Sequence, residues 1–159
     1  MAAKKKLPLD DQTLIARARG HVRVYLDTFG LSGWDVFHIG LDDLRGSSNP
    51  HLGQVAWYLD KRVCRMWFDR ESAQDPALLE YLCAHEVAHM LFAEQDQLFQ
   101  RAVAELTPAL HNLIHSQYND GIENLVHRLA LAVGAPKPYG GVFMEPGTTC
   151  AAEERSDYD

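Results

Sequence analysis

Residues 75–92 read DPALLEYLCAHEVAHMLF, and the rest of the chain is organised around them. Asp75 is suited to cap a helix and Pro76 to open it, because the first helical position has no use for the N–H that proline lacks. No Gly or Pro follows until well past His89, so the stretch reads as one helix. Leu78, Leu79, Tyr81, Leu82, Cys83, Val87, Met90, Leu91 and Phe92 make it apolar nearly all round, which places it at the buried centre of the domain. Inside it stands His85-Glu86-Val87-Ala88-His89. Residues four apart lie about 40° from one another around a helix of about 3.6 residues per turn, so both imidazoles can close on one metal ion. Glu86 points to the neighbouring sector, where its carboxylate can take the proton of a water that the metal acidifies. The alternative is a pair of hydrogen-bonded core histidines. Burying two histidines and a glutamate in an apolar helix is costly without partners, and a bound metal removes that cost.

The chain has 159 residues, 47% of them hydrophobic, enough for one domain with a single core. Its formal charge of −7 argues against a dedicated nucleic-acid binder, which needs a basic face to displace counterions. The one basic run, Lys4-Lys5-Lys6, reads as a solvated tail. Cys64, Cys83 and Cys150 are odd in number, and two of them lie within apolar patterns, so neither a disulfide framework nor a four-cysteine zinc site is expected. No apolar run approaches membrane-spanning length and no signal-type segment follows the N-terminal lysines, which points to a soluble, cytoplasmic protein. Oligomeric state leaves no signal in the sequence.

Residues 1–9 read as a disordered tail, 10–134 as the folded domain and 135–159 as a second tail, rich in Pro and Gly and then acidic. From Asp10, the residues Leu14, Ile15, Ala18, Val22, Tyr25, Leu26 and Phe29 recur at helical spacing, with Gly30 as the stop. Trp34 to Leu41 alternates as a strand expected to be covered on both faces. Gln54–Leu59 and Val63–Phe68 read as an antiparallel hairpin turning at Asp60-Lys61-Arg62. Beyond the central helix, Leu98, Phe99, Ala102, Val103 and Leu106 mark a second amphipathic helix. Thr107-Pro108 opens another through about Tyr118, with Leu110, Leu113 and Ile114 inward. Asn119-Asp120-Gly121 then breaks the chain before a last helix from Ile122 to Val133. The fold class is α+β: a small mixed sheet of three or four strands packed on the buried His-Glu helix, with further helices around it.

A catalytic zinc needs a third protein ligand. The extended histidine motif is absent, since Phe92 and Gln95 stand where its glycine and third histidine belong. Downstream candidates are Glu94, His111, His115, Asp120, Glu123 and His127. Glu123 is the best placed, at the flank of the apolar stripe beside Val126 and Ala130, although Asp120-Gly121-Ile122-Glu123 also reads as a capping box. His127, one turn on, can face the same cleft as a donor to a substrate oxyanion; His115 and Tyr118 are weaker candidates for that role.

A three-strand unit, then AHEVAHMLF, then GIENLVHRLA some thirty residues later resembles the small zinc metallopeptidases common in bacteriophage genomes, related to SprT-like and other minimal gluzincins. The resemblance covers roughly residues 30 to 132. It implies a minimal zincin fold in which Zn²⁺ is held by His85, His89 and Glu123, with Glu86 as general base and acid in peptide hydrolysis. It implies a peptide or protein substrate aligned on an edge strand, here Gln54–Leu59, by β-augmentation. A phage origin would put the protein in a host cytoplasm. His127 stands where larger gluzincins carry an acidic residue behind the ligands, and no zinc ribbon of the SprT type is present.

A second class of function is a metal-bound sensor or interaction module on the same scaffold, as in ImmA/IrrE-type regulators, whose alanine-asparagine stretch ENLVHRLA does not match. In that second class the tail from Tyr139 onward is expected to engage a partner; a separate expectation is that Tyr139–Met144 fold back across the cleft and limit access, and Cys150 is expected to be a free tail thiol.

Overall fold

The structure, a computed structural model, describes residues 8–46 and 51–137. Most of both expected tails, Tyr139–Met144 and Cys150 included, lies outside the described residues. The chain runs α1 (Asp11–Thr28), β1 (Asp35–Asp42), β2 (Gly53–Tyr58), β3 (Val63–Asp69), a 3-10 turn (Ser72–Gln74), α2 (Pro76–His89), a second 3-10 turn (Met90–Phe92), α3 (Ala93–Val103) and α4 (Pro108–Ala132). It is an α+β fold with a mixed sheet in the order β1-β3-β2. β1 runs parallel to β3 and β2 antiparallel to it, the hairpin closing between Tyr58 and Val63.

α2 is the axis of the domain. Asp75 caps it, its carboxylate accepting from the N–H groups of Ala77 at 2.9 Å and Leu78 at 3.3 Å, with Pro76 in the first turn. Every residue from Tyr81 to Met90 is buried, because α1, α4, β2 and β3 all pack on this one helix. α1 contributes Leu14, Ala18, Val22, Tyr25 and Leu26. Gly30 and Gly134 end α1 and α4 with φ of +72° and +86°, a left-handed conformation that glycine adopts without strain. At the other end of the hairpin, the buried Asp69 carboxylate accepts from Ser72 N at 2.9 Å and meets Arg45 Nε at 3.0 Å, pinning the turn that feeds α2.

Three sequence expectations are corrected. β1 is not covered on both faces: Phe37 is the extra residue of a bulge between Val36 and His38 and is 49% exposed. The bulge shifts the alternation by one, so that Trp34 and Val36 before it and Ile39 and Leu41 after it all reach the core. On the outer face, Arg65 instead lies across Phe37, Tyr58 and Trp67, its guanidinium carbon 5.3 to 5.8 Å from the ring centroids.

The second correction concerns Asn119-Asp120-Gly121, which does not break the chain. α4 is one helix of 25 residues. Asn124 Nδ2 donates to the Asp120 carbonyl at 2.8 Å, and the packing of Val126 and Ala130 against α2 outweighs the local preference for a turn. Thirdly, Leu98, Leu110 and Leu113 do not point inward; they are 63%, 44% and 56% exposed, because no further layer of described residues covers α3 and the first half of α4.

Gly121 supplies a test. It is exposed, and a Cβ there would meet nothing within 4 Å. Gly121→Ala is expected to raise stability by roughly 0.5–1 kcal/mol, read as an upward shift of the thermal midpoint. A lower midpoint would mean that the chain is bent at 119–121 after all.

Candidate metal centre

The continuity of α4 decides where Glu123 goes. With no helix start at Ile122, the capping-box alternative disappears, and Glu123 faces α2 one turn before the buried Val126. There its carboxylate meets both histidines of α2. Oε2 lies 3.2 Å from His85 Nε2 and Oε1 lies 3.2 Å from His89 Nε2, while the two Nε2 atoms are 3.1 Å apart. His85, His89 and Glu123 are the one group of three or more potential ligands that converges among the described residues.

This donor triangle fits a metal ion. A tetrahedral ion with bonds of roughly 2.0–2.1 Å has ligand-to-ligand edges of roughly 3.3–3.4 Å; the two Nε2 atoms are 3.1 Å apart, each has one Glu123 oxygen at 3.2 Å, and one ligand atom from each residue lies within 4.8 Å of the others. The protonation states fit too. Burial pushes the His85 imidazole down, keeping it neutral, against the opposing pull of Glu123. Burial raises the Glu123 carboxyl, but hydrogen bonds from His85 and His89 outweigh it and hold the group well below the usual carboxylate range. A neutral His85 and an ionised Glu123 are the forms in which these two residues would bind a divalent cation.

Glu86 stays out of the triangle. It is 0% exposed, and neither carboxylate oxygen has a hydrogen-bond partner among the described residues. Burial pushes its pKa up to about 8, with the Glu123 charge adding to the rise and His89 opposing it. Its carboxylate lies flat against the start of β2. A Cβ on Gly53 would come within 2.4 Å of Oε1, 2.9 Å of Cδ and 3.0 Å of Cγ, so the acid and the edge strand fit together only through a glycine.

That contact is testable by a double-mutant cycle. Gly53→Ala is expected to cost roughly 1–3 kcal/mol, the range for overpacking a filled interior, and Glu86→Ala in the same chain is expected to recover most of it. Equal costs of Gly53→Ala in both backgrounds would show that the glycine serves something else.

Behind the ligands stands Tyr81, one turn before His85. Its hydroxyl is 2.7 Å from His127 Nδ1 and 3.4 Å from His85 Nδ1. Burial raises the phenol far above its ordinary value, so it keeps its proton. With a metal taking the place of the His85–Glu123 hydrogen bond, one proton and two neighbours would give a consistent assignment: Tyr81 O–H donates to His127, and the Tyr81 oxygen accepts from His85 Nδ1–H. His85 Nε2 is then left bare, facing the triangle. His127 therefore reaches the centre through Tyr81 and His85. The four-residue spacing from Tyr81 to His85 was the available signal for this partner, and sequence reasoning missed it.

The other candidates are placed elsewhere. Glu94 is exposed and Asp120 half-buried, both outside the converging group. His115 is held by Gln100 Nε2 at 3.2 Å and Asn119 Nδ2 at 3.1 Å, and His111 stacks on it with ring centroids 5.5 Å apart. Tyr118 and Ile122 of α4 line a narrow cleft with Trp57 of β2, Phe92 and Asp96, and His89 and Glu123 form part of its wall. The cleft measures about 270 Å³ with its open mouth. No helix among the described residues is long and apolar enough to cross a membrane.

The chain matches no protein-family model, no curated protein and no solved structure.

Proposed function

We propose that the chain is a zinc-dependent peptidase built on a minimal zincin fold, with His85, His89 and Glu123 holding the metal and Glu86 moving the proton. One observation carries the reading: three metal-competent donors converge, and next to the two on α2 lies a buried carboxylate with no hydrogen-bond partner among the described residues. Zn²⁺ bound there would supply Lewis acidity, lowering the pKa of a water toward about 7 and polarising a carbonyl oxygen.

The chain's own residues supply the rest. Glu86, buried beside the donors and outside their group, is placed so that one of its oxygens can take a proton from water and hand it to a leaving amine. Tyr81 holds the His85 ring in one tautomer, and His127 holds Tyr81. Tyr118, which lines the cleft, takes the oxyanion-donor role for which His127 stood first. β2 is an edge strand of the sheet, and its Trp57 lines the same cleft, so an extended peptide added beside Gly53–Tyr58 runs past the metal centre.

The test is a digest of casein and of a mixed peptide library, with and without chelator. Cleavage that stops on chelation and returns with zinc supports the reading. Cleavage indifferent to chelator overturns it.

A second reading, a metal-bound interaction module, draws on the exposed Leu98, Leu110 and Leu113. Glu86 counts against it, because a scaffold has no use for a buried acid whose oxygens lack partners.

A further inference from the structure

Asp96 does not belong to the donor triangle, and the chemistry above makes no use of it. It lies on α3, seven residues past His89, and is 6% exposed while its neighbour Leu98 is 63% exposed. The helix thus turns a carboxylate inward and a leucine outward, the reverse of what apolar burial favours. Gln100 hydrogen-bonds the Asp96 carboxylate. Its Oδ2 is buried with no partner among the described residues, and Asp96 lines the cleft that leads to His89 and Glu123.

From this placement we infer that Asp96 is a specificity residue, binding a primary ammonium group of the substrate on a slim methylene chain that enters the cleft. The inference rests on the peptidase reading for its substrate and deepens it.

The walls suit such a group. Trp57, Phe92 and Ile122 offer apolar surface to methylenes, and a carboxylate beyond them offers the charge, the division that long cationic side chains use when only their tips are polar. An ammonium is a compact point charge that Asp96 Oδ2, the oxygen without a partner among the described residues, can take alone, whereas a guanidinium fork calls for both carboxylate oxygens. Burial pushes the Asp96 carboxyl up, against the hydrogen bond from Gln100 and the nearby His115 and His89. A charge there is costly while the cleft lacks a cation, and an ammonium ion offsets that cost. The formal charge of −7 also favours cationic encounter over anionic.

Lysine side chains and free N-termini both carry this group, and the test separates them. In its first arm the zinc-loaded full chain is titrated with n-butylammonium and with n-butanol, read by NMR at the Trp57 indole N–H and the Ile122 methyls. The expected result is that the ammonium binds at least fivefold tighter than the alcohol, and that Asp96→Asn removes the difference. Equal binding of the two probes by the wild type overturns the inference without any variant. So does undiminished ammonium binding in a folded, zinc-loaded Asp96→Asn chain, which would assign the amine to the metal.

The second arm compares an acetylated peptide containing lysine, the same peptide with norleucine, and the norleucine peptide with a free N-terminus. At least tenfold faster cleavage of the first assigns the side chain, and of the third the terminus. Equal rates for all three overturn the inference while leaving the peptidase reading intact. Ammonium-selective binding with no cleavage of any peptide does the opposite: the cation site stands and the peptidase reading falls.

Discussion

Glu86→Gln is expected to lower peptide hydrolysis by orders of magnitude and to leave metal binding in place. Glu86 is absent from the donor triangle, so elemental analysis is expected to find the same zinc content in variant and wild type. Loss of a positioned general base and acid costs typically 10²–10⁴-fold in turnover, and a variant that cleaves at the wild-type rate would sink the mechanism. The same substitution carries a stability signature in the metal-free protein. Glu86 has a folded pKa of about 8 against an ordinary value of 4.5. The folded state therefore holds this proton more tightly than the unfolded chain. The resulting stability is fully present below the unfolded pKa and is lost as pH rises to about 8. Each unit in that window is worth about 1.4 kcal/mol, up to roughly 5 kcal/mol in all. Glutamine does not titrate. With metal removed, the melting temperature of Glu86→Gln is expected to exceed that of wild type by a margin that grows from pH 5 to pH 8. A constant margin would mean that water or another group stabilises the buried charge.

Glu123→Ala is expected to show the opposite pattern, with metal lost first and activity following from that loss. Removing one of three protein ligands leaves His85 and His89, which cannot by themselves complete a catalytic site. A drop in zinc affinity of at least a hundredfold is expected, with wild type retaining one zinc per chain through dialysis and the variant retaining little. Thermal melts give a second readout. Zinc at a thousand times its dissociation constant adds about 4 kcal/mol to the wild type, and chelation removes this; in Glu123→Ala the midpoint is expected to be indifferent to both. Zinc retained equally in both proteins would move the third ligand elsewhere, with His115 and His127 next to test.

The parts of this fold that were legible in sequence are those where local signals and burial agree. α2 announced itself through Asp75, Pro76 and an unbroken apolar run, and the hairpin through two β-rich segments with a short polar link. α4 was misread because Asn119-Asp120-Gly121 carries strong local turn chemistry, while the contacts that keep it helical come from α2, roughly forty residues away in sequence. The bulge at Phe37 was invisible for a related reason: alternation assumes a period of two, and one inserted residue is a property of the pairing with β3. Glu123 was found because it flanks the one stripe of α4 that is buried. Tyr81 was counted as core, since its ring is buried and only its hydroxyl serves the centre. Asp96 left no trace, because a carboxylate in an exposed-looking helix reads as a solvated residue until its neighbours are known.

The fit of Gly53 against Glu86 also constrains how sequences of this fold can diverge. While a lineage keeps the acid, substitution at position 53 meets a collision, so the glycine is inherited with it. A lineage that replaces Glu86 with a smaller residue releases position 53 to drift through alanine and serine. The residue at the start of β2 is then expected to track residue 86, glycine beside the acid and a larger residue only where the acid has been shortened.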